Sequence, residues 1–149
     1  MKEKINVLLA TSRPLSWVNT AYPFAAGYLV MGGGIDMQLI VGLLFFLIPY
    51  NLLMYGINDV CDYDSDMRNP RKGGVEGAVT LREYHRLIVW SAVLSCLPFV
   101  LALVLLGSWR SVLVLAVVLF FVVAYSAKGL RFKEVPLLDS VTSSLHFVG

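Results

Sequence analysis

The sequence predicts an all-α, multi-pass transmembrane helical bundle, and three observations on its 149 residues predict it. Hydrophobic residues make up 58% of the chain, more than a water-soluble domain of this size buries in a single core. These residues gather into four long apolar runs separated by polar segments. The basic residues fall almost entirely in alternate connections, which is how membrane spans are oriented.

A helix needs about 20 mostly apolar residues to cross the hydrocarbon core. The first run, residues 15–31, is interrupted by Asn19, Thr20 and Pro23 and is the weakest of the four. Residues 37–57, 87–106 and 111–127 are strong, and a further span begins near residue 136, within a single domain covering 1–149. Gly32, Gly33 and Gly34 mark a tight turn between the first two spans. Eleven of the twelve Lys and Arg residues precede the first span, lie between the second and third, or follow the fourth; only Arg110 lies on the other side. The positive-inside rule then predicts a cell (inner or plasma) membrane protein with its N-terminus and both basic connections in the cytoplasm. The segment before the first span has no convincing cleavage site, so it reads as a mature end.

Several function classes are disfavoured. A net charge of +2 with no long basic stripe argues against nucleic-acid binding. Cys61 and Cys96 are far apart and lack zinc-ligand spacing, while His85 and His146 have no partners at such spacing. No nucleophile triad or nucleotide-binding glycine loop is visible.

The chemistry gathers after the second span, in a connection of about 30 residues that is long for a helix–helix link. Four of the ten acidic residues, Asp59, Asp62, Asp64 and Asp66, fall within eight positions. Continued as a helix at about 100° per residue, Asp59, Asp62 and Asp66 lie within about 60° of one another and Asp64 points away. Asn58, one turn before Asp62, extends the shared face with a neutral oxygen. Oxygen donors at helical spacing suit a hard cation such as Mg2+, which commonly shares its ligands with substrate phosphates. The competing reading, a solvated acidic loop, leaves this spacing unexplained, and ionisable groups at the end of a span are usually functional.

Arg68-Asn69-Pro70-Arg71-Lys72 follows directly, and a guanidinium recognises phosphate bidentately. Lys72, Arg82 and Arg86 serve equally well as topological charges facing lipid headgroups. A third polar cluster, Tyr125-Ser126-Ala127-Lys128-Gly129-Leu130-Arg131-Phe132-Lys133, ends the fourth span on the same side and could reach the same anion.

The pattern Asn58-Asp59-x-x-Asp62-x-x-x-Asp66 resembles the first aspartate-rich motif of the UbiA superfamily of intramembrane prenyltransferases. The resemblance extends to Arg13-Pro14 with Trp17 and Asn19, to Arg71, and to Tyr125-Ser126 leading to Arg131 and Lys133. It implies half of a nine-span helical bundle around a lipid-facing cavity, in which Mg2+ and the diphosphate of a polyprenyl or other allylic donor are held. By this resemblance Asp59, Asp62 and Asp66 are the catalytic metal ligands, with Asn58 beside them. Arg13, Asn58, Arg71, Tyr125, Lys128, Arg131 and Lys133 would bind the diphosphate, and the prenyl group would pass to a lipophilic acceptor.

Family members carry a second Asp-x-x-x-Asp motif in their later half, whereas here Asp139 is followed four places on by Ser143. The expectation is an N-terminal half whose missing C-terminal half holds the second motif, leaving the activity of the piece alone in doubt. Within the superfamily, the run from Asn58 to Gly77 most resembles the lycopene elongases of carotenoid biosynthesis. A quinone or tetrapyrrole acceptor is an alternative. A non-catalytic cation-binding subunit or half-transporter is another, although a bare cation would need none of the neighbouring Arg and Lys residues.

Overall fold

The structure, a computed structural model, describes residues 1–68, 80–127 and 130, all helix, turn or irregular chain with no strand among them. Seven α-helices follow in order: α1 (Lys2–Ser12), α2 (Trp17–Val30), α3 (Met37–Leu47), α4 (Pro49–Cys61), α5 (Tyr63–Asp66), α6 (His85–Leu106) and α7 (Trp109–Ser126). Among the described residues, three helical stretches are long and apolar enough to cross a membrane: Met37–Cys61, which joins α3 to α4, Arg82–Leu106, and Trp109–Ser126. The weak first run forms only the 14 residues of α2, about 21 Å of helix, short of a full crossing by itself. The expected span from residue 136 lies outside the described residues.

The α3–α4 stretch is the centre of the bundle, with half of its apolar window buried against 22% for Arg82–Leu106 and 28% for Trp109–Ser126. Around it, α1 and α6 pack on α4, α2 packs on α3, and α7 packs on α4 and α6. On α6 the inward stripe is Ile88, Ala92, Cys96 and Leu103, all buried at helical spacing. The other faces of α6 and α7 leave Trp90, Leu94, Leu97, Leu105, Leu113 and Phe120 exposed, apolar area that water would penalise and acyl chains would solvate.

Pro49 divides the central stretch, because it cannot donate to the preceding turn and Ile48 leaves helical geometry at φ −120°. Unsatisfied backbone carbonyls are costly in hydrocarbon, and Asn51 supplies donors at this break. Its fully buried amide donates to the Phe46 carbonyl at 2.8 Å, the Leu47 carbonyl at 3.1 Å and Thr20 Oγ1 at 2.7 Å. Thr20 in turn donates to the Phe46 carbonyl at 2.7 Å, so the kink also anchors α2.

Three devices shape the turns at the end opposite the acidic motif. Gly32, at φ 89°, closes α2, and the amide of Gly33 reaches back to the Tyr28 carbonyl at 3.0 Å, a left-handed helix stop that glycine adopts without a Cβ penalty. Asp36 caps α3 by accepting from the Leu39 amide at 2.9 Å and also accepts from the Tyr28 hydroxyl at 2.7 Å; that amide and then the hydroxyl hold its carboxyl below the ordinary value. Ser108 caps α7 through the Ser111 amide.

Close approach of α4 to α6 depends on Gly56, where an added Cβ would lie 2.7 Å from Cγ2 of the fully buried Ile88. Gly56→Val is therefore expected to push the two helices apart and to cost about 1–3 kcal/mol of overpacking. A thermal unfolding midpoint in detergent equal to that of the wild type would contradict this.

Candidate active site

The acidic motif begins on α4 and continues past it. Helical bonds persist from the Asp62 amide to the Asn58 carbonyl and from the Asp66 amide to the Asp62 carbonyl, both 2.9 Å. At Asp62 itself the backbone shifts to φ −96° and ψ 1°, and the Ser65 hydroxyl donates to the Asp62 carbonyl at 2.9 Å. The continuous helix expected from the spacing is thus bent at Asp62, where the Ser65 hydroxyl competes for the backbone carbonyl. Asp59 is 3% exposed, Asp62 9%, and Asp66 half-buried, while Asp64 is exposed.

Asp59 is met by a residue 46 positions earlier. Arg13 Nη2 donates to Asp59 Oδ1 at 2.8 Å, and the guanidinium lies 4.2 Å from the centroid of the Tyr55 ring, one helical turn before Asp59. Proline at position 14 disfavours right-handed helix at Arg13, so α1 ends there. Arg13 takes the left-handed conformation at φ 50° and ψ 74°, the sole positive φ on a non-glycine residue among those described. Such a backbone costs about 1–2 kcal/mol without glycine and persists where its surroundings hold it. Here Trp17 clamps the corner by donating to the Ser12 carbonyl at 3.0 Å and to Ser12 Oγ at 3.2 Å.

The end of α7 reaches the same place. Ser126 Oγ, on a residue 1% exposed, donates to Asn58 Oδ1 at 3.0 Å, and Tyr125 is half-buried beside it. On the other flank Arg82 pairs with Asp64 at 2.5 Å and lies over the Tyr63 ring, whose edge meets His85. Both members of that pair are about two-thirds exposed, so it contributes little to stability. The structure therefore brings together Arg13, Asn58, Asp59 and the Tyr125-Ser126 end, and sets Asp64 apart with Arg82. Arg71, Lys128, Arg131 and Lys133 lie outside the described residues.

Two contacts were not foreseen from the sequence. Arg13, expected to bind diphosphate, has its guanidinium on Asp59, and Tyr55 is the platform beneath it. The i to i+4 spacing of Tyr55 and Asp59 was the available signal, but nothing local pairs it with Arg13.

Asn58, Asp59, Asp62 and Asp66 present oxygen donors only, which fits magnesium and not a soft metal. Among the described residues, no three His, Cys, Asp or Glu side chains close into a cage. Magnesium needs none, since it binds through one or two carboxylates, retained waters and substrate phosphate oxygens.

Residues 20–148 match the UbiA prenyltransferase family. A lycopene elongase/hydratase of Corynebacterium glutamicum is 55% identical over 147 residues, covering 99% of this chain and 51% of that protein. The C(50) beta-cyclic carotenoids biosynthesis protein LbtBC of Dietzia sp. is 56% identical over 144 residues, 97% of this chain and 33% of the relative. A lycopene elongase/hydratase of Haloferax volcanii is 32% identical over 149 residues, with 97% and 48% covered. The chain spans about half the length of the Corynebacterium relative, and no solved structure matches it.

Proposed function

Because the chain belongs to the UbiA prenyltransferase family, we propose that it supplies the N-terminal half of a magnesium-dependent enzyme that transfers a prenyl group from an allylic diphosphate to lycopene. The observation that carries this reading is the meeting of Asn58 and Asp59 with Arg13 and Ser126 at one end of an apolar bundle, in a chain 55% identical to a lycopene elongase/hydratase. In the sequence, eleven of the twelve basic residues fall before the first span or in the segments after the second and fourth, which supports placing that end in the cytoplasm. A C-terminal half bearing a second aspartate-rich motif would complete the site.

Asp59, Asp62, Asp66 and Asn58 would hold the cation, and Arg71, Tyr125, Lys128, Arg131 and Lys133 the diphosphate oxygens. Magnesium, when bound, neutralises charge on the departing diphosphate and so favours ionisation of the allylic carbon–oxygen bond. Arg13 orients Asp59 and gives its nearly buried carboxylate a cationic partner at 2.8 Å. Apolar surroundings would keep water from the electron-deficient carbon; attack by an electron-rich alkene needs no strong base, and the cation this leaves on the acceptor is discharged by loss of a proton or capture of water.

The test is binding of a non-hydrolysable farnesyl thiolodiphosphate to the chain in lipid nanodiscs. Binding that requires magnesium and is abolished by EDTA is the expected result. Magnesium-independent binding would refute the reading, as would the absence of binding once the chain is joined to the C-terminal half of its Corynebacterium relative.

A further inference from the structure

A cavity of about 650 Å³ opens at the end of the bundle opposite the carboxylates. Its walls come from α2, α3, α6 and α7, with Phe24, Gly27, Met31, Leu115 and Val118 among the apolar lining and Arg110 at its far edge. The proposed transfer chemistry at the acidic end makes no use of it.

The cavity and the acidic end share the same two helices. Ser111, Leu115 and Val118 line the cavity, and the same ridge of α7 continues at intervals of three or four residues through buried Val122 to Ser126, which bonds to Asn58. On the facing side, α2 runs from the Arg13 corner to Phe24, Gly27 and Met31. Neither helix uses the other as its main support, since α2 packs on α3 and α7 on α4 and α6. The sixteen steps from Arg110 to Ser126 rise about 24 Å along α7 at 1.5 Å per residue. A rigid rod of about that length lying along α7 with one end at the carboxylates would bring its other end to the cavity. A lipophilic acceptor of a short, ring-sized shape would leave it unfilled.

We propose that this cavity is the remote subsite for the unreacted end of a long, rod-shaped polyene acceptor; the proposal rests on the prenyl-transfer reading above. A conjugated rod of about 30 Å matches the thickness of the hydrocarbon core and spans from one site to the other. The apolar walls, with few polar groups at the edge, suit a hydrocarbon terminus. The subsite selects acceptors by length and sets which carbon reaches the carboxylate end.

Gly27 provides the test, because a Cβ added there meets nothing within 4 Å and a larger side chain enters open space. The chain is produced in cells that accumulate lycopene, and carotenoid retained per protein is measured after purification. Gly27→Phe and Val114→Trp are each expected to lower retention at least fivefold, with an unchanged unfolding midpoint. Val93→Trp, on the exposed face of α6, is expected to leave it as in the wild type. A photo-crosslinking residue at position 114 is expected to capture lycopene, and capture of phospholipid acyl chains instead would overturn the assignment.

Farnesyl thiolodiphosphate binding, measured on the same samples, separates the two readings. A chain that binds the analogue with magnesium but retains no lycopene, or retains it regardless of cavity filling, overturns the subsite alone. Failure to bind the analogue even when the chain is joined to the C-terminal half of its Corynebacterium relative overturns the proposed function.

Discussion

Asp59→Ala and Asp62→Ala each lower magnesium-dependent affinity for the thiolodiphosphate at least about a hundredfold, or about 2.7 kcal/mol, whereas Asp64→Ala changes it less than about threefold. The difference follows from environment. Asp59 and Asp62 are nearly buried at the end of α4, where a lost carboxylate oxygen is not replaced by solvent. Asp64 is exposed and bound to Arg82, which can release it to water at small cost. Isothermal titration of the analogue in nanodiscs with saturating magnesium measures all three variants. Comparable losses at positions 59, 62 and 64 would mean that the acidic run acts as diffuse charge and that no particular face binds the ion.

Arg13 carries the second large effect. Arg13→Ala deprives a buried carboxylate of its guanidinium partner, and breaking a buried ion pair costs about 3–5 kcal/mol. The guanidinium is 22% exposed, so the lower end, about 3 kcal/mol, applies. Arg13→Gly is expected to be less destabilising than Arg13→Ala by about 1 kcal/mol, because glycine relieves the left-handed backbone at φ 50°. Arg13→Lys keeps the charge but loses the planar contact with Tyr55, and it falls between wild type and alanine. Thermal unfolding midpoints in one detergent give the order. Should glycine and alanine be equally destabilising, the left-handed corner would hold no strain, and full stability of Arg13→Ala would show the ion pair to be dispensable.

The bundle was legible because hydrophobic run length and charge placement respond to the membrane before any tertiary contact forms. The spans 37–57, 87–106 and 111–127 correspond to α3–α4, α6 and α7 within a few residues, apart from the turn where α6 begins. The first run coincides with α2, whose 14 residues begin only after Arg13-Pro14 turns the chain, a corner that apolar composition alone does not register. The acidic face was legible to the extent that helical periodicity governs it. The bend at Asp62 was not, because it comes from the Ser65 hydroxyl competing for the backbone carbonyl within one turn.

Composition, span length and the nine-residue acidic pattern by themselves determined a helical membrane protein with oxygen donors crowded at one end of its second span. Such properties are set by neighbours in sequence and by the solvent around them. Only the tertiary structure decided that Asp59 faces Arg13, that Ser126 closes on Asn58, and that α2 and α7 frame a cavity at the far end. These depend on how separate helices pack, and contacts spanning 46 and 68 residues leave no local periodicity from which to read them.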